Sequence, residues 1–143
     1  MKTRQPHILI IDDDRSVNRA LSLVLSKDFQ TITTASAKEG LELAREDSPF
    51  LAMVDLKMQD ANGIEVLKEL KRIDTEIKVM IMTAYGEVKT VIEAFKLGAV
   101  DFLTKPFDNK SLLDNVRRLA ALTSFDTDIF SSGLKEIIIG ESS

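Results

Sequence analysis

His7-Ile8-Leu9-Ile10-Ile11-Asp12-Asp13-Asp14 decides how the chain is read. Four consecutive apolar residues, three of them β-branched, suit a strand buried on both faces, with Pro6 before it and an acidic cluster behind it. Val17, Ala20, Leu21, Val24 and Leu25 then recur at helical spacing, with Asp14 or Ser16 as the capping residue. The same alternation continues downstream. Thr31 to Ala35 predicts a weaker, alternating strand and Ser36 to Glu46 a helix. Phe50 to Val54 predicts the third strand, the Asn62-Gly63 turn follows, and Ile64, Val66, Leu67 and Leu70 mark the third helix. Val79 to Met82 and Val88 to Leu97 give the fourth pair, with Gly98 as the helix C-cap. Val100 to Leu103 and Ser111 to Leu122 give the fifth.

Five βα units in this order predict an α/β fold. Right-handed crossovers leave few topologies besides a parallel sheet with helices on both faces. The expected form is flavodoxin-like, a (βα)5 doubly wound parallel sheet of strand order 2-1-3-4-5. Its ligand crevice lies at the carboxyl ends of strands 1 and 3.

The polar residues fall where that crevice would be. Asp12, Asp13 and Asp14 follow the first strand, Asp55 the third, Thr83 the fourth and Lys105 the fifth. Taken singly, each has a plain reading. An acidic triplet suits a helix N-terminus, a lone Asp ends many strands, a Thr caps helices and a Lys decorates surfaces. Together they assemble a chemistry. Neighbouring carboxylates repel one another, and an all-oxygen site with few protein ligands suits Mg2+. A carboxylate can be phosphorylated as a nucleophile. The transferred group's oxygens would then find a metal, the Lys105 ammonium and the Thr83 hydroxyl. Ala84, beside Thr83, is small enough to leave the phosphate a way in.

Composition narrows the class. The 143 residues fit one domain, and 44% hydrophobic content supports a real core. Nineteen Lys and Arg against 23 Asp and Glu give a net charge of −4, which disfavours broad nucleic-acid binding. No cysteine is present, so disulfides and thiolate metal sites are excluded. No apolar run approaches the ~18 residues of a membrane span, and Met1 to Pro6 lacks a signal peptide's apolar segment. A cytoplasmic protein is expected. The lone His7 sits at the wrong end of its strand for the predicted site, and reads as structural. Met53, Met58, Met80 and Met82 read as core filler.

At Ile8-Leu9-Ile10-Ile11-Asp12-Asp13-Asp14, Val54-Asp55-Leu56-Lys57-Met58, Met82-Thr83-Ala84 and Asp101-Phe102-Leu103-Thr104-Lys105-Pro106-Phe107, the sequence resembles the receiver domains of two-component response regulators. The resemblance covers Pro6 to Leu122. It implies that Asp55 is the phosphoacceptor, Asp13 a direct magnesium ligand, Asp12 a ligand through water, and Lys57 a ligand through its backbone carbonyl. It further implies that Thr83 and Phe102 form a switch pair, that Lys105 binds the phosphate, and that the Lys105–Pro106 bond is cis. The pattern departs at Gln59, where proline is common, and at Asn62, where aspartate is common.

The run from Thr83 to Phe107 is most similar to receivers of nitrogen-regulator-type (NtrC-like) AAA+ transcriptional activators. That implies a sensor histidine kinase as donor, transcription as output, and a homodimer formed through the fourth helix, fifth strand and fifth helix. DNA would be reached only through a C-terminal domain beyond this chain. Residues 1–122 are accordingly expected to form the receiver. Residues 123–143 are expected to be a linker and the start of an ATPase module, which Gly133 to Ser142 resembles. Rival readings are a haloacid-dehalogenase-like phosphatase using Asp12, a flavodoxin-like nucleotide binder, and a stand-alone diffusible receiver.

Overall fold

The structure, a computed structural model, describes residues 5–84, 87–123 and 125. Five strands alternate with five helices: β1 (Gln5–Ile11), α1 (Arg15–Leu25), β2 (Gln30–Thr34), α2 (Ala37–Asp47), β3 (Pro49–Asp55), α3 (Gly63–Ile73), β4 (Lys78–Ala84), α4 (Val88–Lys96), β5 (Asp101–Lys105) and α5 (Asn109–Ala121). The sheet is parallel throughout and ordered β2-β1-β3-β4-β5, the expected flavodoxin-like doubly wound arrangement.

The two-residue period of a strand sorts the core into two layers. Leu9, Ile11, Ala52, Val54, Val79 and Ile81 face one side, where Ala44, Leu67, Leu70 and Ala94 of α2, α3 and α4 cover them. Ile8, Ile10, Leu51, Met53, Met80 and Met82 face the other, under Leu21 and Leu25 of α1 and Leu112 and Val116 of α5. Central β3 is buried at all seven positions, which is why it reads as an unbroken apolar run. Phe125, in the expected linker, belongs to the second layer and packs edge-on against Phe50 with ring centroids 5.1 Å apart. The rest of the expected linker and module start, save for Thr123, lies outside the described residues.

Strand limits differ from expectation at both ends. β1 runs through Pro6, and its pairing with β3 shifts register between Gln5 and Ile8. A proline has no N–H to give the ladder, so the strand passes it as an irregularity. At the carboxyl ends, Asp55, Thr83 and Lys105 are not beyond their strands but in them, Asp55 opposite Met82, Thr83 opposite Thr104 and Ala84 opposite Lys105. A polar side chain interrupts the hydropathy pattern while its backbone goes on pairing.

The helix starts follow from side-chain caps. Asp14, rather than Ser16, caps α1 by accepting the Ser16 N–H, and Asn62 caps α3 by accepting the Ile64 N–H. Asp108 accepts the Ser111 N–H, which starts α5 two residues before the expected Ser111. Gly98 follows α4 with φ of 112°, a left-handed conformation that closes the helix. Gly63 is required for a different reason. A Cβ there would fall on the Asp55 carbonyl oxygen and lie 2.5 Å from the Leu56 Cα. Gly63→Ala is therefore expected to destabilise the domain by ~1–3 kcal/mol through overpacking, read from the urea unfolding midpoint. An unchanged midpoint would show that the loop after Asp55 yields freely.

Candidate functional site

The site is built from strand ends. Asp12 and Asp13 directly follow β1, Asp55 ends the neighbouring β3 and Lys105 ends β5, one strand further on past β4, so the parallel sheet delivers all four to one edge. Asp12, Asp13 and Asp55 each offer a carboxylate oxygen, and these oxygens lie within 4.8 Å of one another. Asp12 is fully buried and Asp55 is 6% exposed.

Each acid is held differently. Asp12 Oδ2 takes the Lys105 ammonium at 2.7 Å, and its Oδ1 accepts the Asp14 N–H at 2.9 Å. The carbonyl of Asp12 accepts from Asn18 Nδ2 at 2.8 Å, anchoring the turn to α1. Asp55 Oδ2 lies 3.4 Å from the same ammonium, and Oδ1 accepts the Lys57 N–H at 3.3 Å. Asp13 Oδ2 accepts the Gln59 N–H at 2.8 Å.

Burial dominates the electrostatics. It pushes the Asp55 carboxyl up to about 6 from an ordinary 3.8, and the Asp12 charge adds to the rise against the opposing pull of Lys105. Burial would depress Lys105, but the Asp12 and Asp55 carboxylates outweigh it and hold the ammonium above its ordinary range. With all groups ionised, three carboxylates face one ammonium, an excess of two negative charges. A divalent cation fits this donor set in charge and in ligand type: the three carboxylates offer hard oxygens, and Lys105 already stands among them as a cation.

Thr83 and Phe102 sit beside the acids rather than among them. The Thr83 hydroxyl, buried, donates to the Ala84 carbonyl at 3.2 Å. Both residues line an apolar cavity of about 390 Å3 between α4 and the β4–β5 pair, with Val88, Ile92 and Phe95. Phe102 is 42% exposed and meets Phe95 edge-on, with centroids 6.2 Å apart. The Lys57 side chain, 75% exposed, leaves the acids and pairs with Glu87 Oε1 at 2.5 Å. Glu87 is the N-cap position of α4 and makes no side-chain capping bond of its own. Lys105–Pro106 is cis. His7 lies at the opposite end of β1, bonded through Nδ1 to Asp47 Oδ2 at 2.7 Å.

Sequence reasoning missed three contributors: Asn18, Glu87 and the Gln59 main chain. Main-chain donors leave no trace in residue identity, and Glu87 sits 30 positions from its partner.

The arrangement defines a class. A family model for the response regulator receiver domain matches residues 8–117. The chain belongs to that family. It is 38% identical over 118 residues to Sporulation initiation phosphotransferase F of Bacillus subtilis, covering 82% of this chain and 95% of that protein. It is 37% identical over 123 residues to Regulatory protein AtoC of Escherichia coli, covering 85% of this chain but only 27% of that one. Among solved structures it resembles the receiver domain of NtrX from Brucella abortus, with a TM-score of 0.75 and 28% identity over 78% of this chain and 96% of that one. No helix among the described residues is long and apolar enough to cross a membrane.

Proposed function

We propose that this receiver takes a phosphoryl group onto Asp55 from a sensor histidine kinase in a Mg2+-dependent reaction, and that the added charge switches its surface. The observation that carries the reading is the Asp55 carboxylate at the end of the central strand, within one small cluster of Asp12, Asp13 and the Lys105 ammonium. An Asp55 oxygen forms the new P–O bond as the P–N bond to the donor imidazole breaks, and the electron pair leaves with the nitrogen. Asp55 must be ionised to attack, and Lys105 opposes the burial that would keep it protonated. Asp12, Asp13, Asp55 and the Lys57 carbonyl would hold the metal. Bound there, Mg2+ would offset the excess negative charge and draw in the phosphoryl oxygens. Lys105 and the Thr83 hydroxyl are the groups that would bind the remaining oxygens.

Output follows from the neighbouring cavity. Thr83 turning to the phosphate would leave its side of the cavity, and Phe102, half outside now, would move in. The α4–β5–α5 face would change shape and, in this reading, control a homodimer. The likeness to AtoC, spanned for a quarter of its length, supports a receiver at the head of a longer cytoplasmic transcription regulator. Residues 123–143 would then be the linker and the start of an AAA+ module, and DNA would be bound only beyond it. The likeness to a protein spanned for 95% of its length supports the other reading, a diffusible receiver without an attached effector. Reading the gene past Ser143 separates the two.

Acetyl phosphate with Mg2+ tests the chemistry. Wild type is expected to gain one base-labile phosphoryl group by intact mass, and Asp55→Asn none. Thr83→Ala is expected to be labelled without the full conformational change. Label on Asp12 would favour a phosphatase instead, and equal labelling of Asp55→Asn would end the proposal.

A further inference from the structure

The three acids are not equally secured. Asp12 and Asp55 each hold the Lys105 ammonium and a main-chain N–H from two residues downstream. Among the described residues, Asp13 pairs with no cation. Among the described residues, the Gln59 main-chain N–H is the donor on its carboxylate, at 2.8 Å and 46 residues away in sequence. Asp13 is also the least buried of the three. Its side chain would otherwise turn freely toward water, with a rotamer choice to be fixed at the moment a cation arrives.

We infer that Gln59 is a positioning residue for the metal site, acting through its main-chain N–H and not its side chain. The bond ties the loop after Asp55 to the turn after β1, and so fixes the Asp13 carboxylate within the cluster before binding. The loop is itself anchored on both sides: Lys57 and Asn62 form an antiparallel bridge, and the Gly63 N–H donates to the Leu56 carbonyl at 3.0 Å. Gln59 therefore presents its N–H from a braced loop. Partners that orient a metal ligand typically govern ~10–100-fold in metal affinity. A residue whose identity looks incidental matters here because it is not a proline, which has no N–H to offer. The inference rests on the proposed metal role of Asp13.

The test is Mg2+ titration of the metal-free full chain by calorimetry, with wild type, Gln59→Ala, Gln59→Pro, Asp13→Asn and the double variant Asp13→Asn/Gln59→Pro. Gln59→Ala keeps the N–H and is expected to bind as wild type does. Gln59→Pro is expected to weaken binding ~10–100-fold. The double variant should bind no worse than Asp13→Asn alone, because the proline then has no carboxylate to lose. If circular dichroism shows Gln59→Pro unfolded, a backbone ester at position 59 removes only the N–H and takes its place. Equal affinity for wild type and the ester, or for Gln59→Ala and Gln59→Pro, overturns the inference. So does a double variant much weaker than Asp13→Asn. Wild type that binds no Mg2+, or Asp13→Asn that binds like wild type, overturns the metal reading first and this role with it.

Discussion

Asp55→Asn is expected to raise the melting temperature of the metal-free protein above pH 6, with the gain fading below about pH 4. The reason is the displaced Asp55 carboxyl, raised from 3.8 to about 6 chiefly by burial. The folded state holds a proton there more tightly than the unfolded chain does. Stability from that proton is complete below the unfolded value near 3.8 and is lost as the pH rises through about 6. Asparagine is neutral at every pH and can offer its amide to Asp12, so it avoids the loss. The span from 3.8 to about 6 corresponds to at most ~3 kcal/mol, or a rise on the order of 5–10 °C in a domain of this size. Scanning calorimetry from pH 4 to 8 in chelator reads it directly. Added Mg2+ should narrow the gap, because a ligand that binds only the native state stabilises it and wild type keeps the third carboxylate. A variant that melts with or below wild type at pH 8 would mean that Asp55 sits in a wetter environment than its burial indicates.

Lys105→Met is expected to do the reverse. The ammonium is the counter-charge to a fully buried Asp12 at 2.7 Å and to Asp55 at 3.4 Å. Removing one member of a buried pair leaves the other charge unpaired, which costs ~3–5 kcal/mol. Methionine keeps most of the stem's packing, so the loss reports charge rather than volume. Urea unfolding at pH 8 without metal measures it. Mg2+ should restore more stability to Lys105→Met than it adds to wild type, because it supplies the missing positive charge. A metal-free loss below about 0.5 kcal/mol, the range of ordinary surface substitutions, would show that Asp12 is satisfied by other means.

Much of this was legible in the chain itself. The β3 run Phe50 to Val54 and the acidic stop after Ile11 carry the buried parallel sheet and its reactive edge, because burial on both faces leaves no polar residue inside a strand until the rim. The order of Asp12, Asp55, Thr83 and Lys105 along successive units was enough to bring them to one side. Strand ends were misjudged by one or two residues, since hydropathy follows side chains and pairing follows the backbone. Less could be read in the loop after Asp55. Gln59 looked only like a departure from a familiar pattern, and Asn62 like such a departure at a turn. Coordinates give them work: Asn62 caps α3 and Gln59 lends its N–H to Asp13. The partnership of Lys57 with Glu87 depends on how α4 is set against the sheet, which no local pattern encodes.

That last ion pair makes the domain sensitive to its medium. Lys57, 75% exposed, brings its charge to Glu87 from the solvent side, while Lys105, 24% exposed, meets a fully buried Asp12. Dissolved ions screen charges over ~10 Å at 0.1 M and ~3 Å at 1 M, and they act far more strongly on exposed pairs than on enclosed ones. Concentrated electrolyte should therefore unfasten the loop after Asp55 from the front of α4 while leaving the acid–ammonium centre intact. Ionic strength becomes a way to loosen the communicating segment without touching the reacting one.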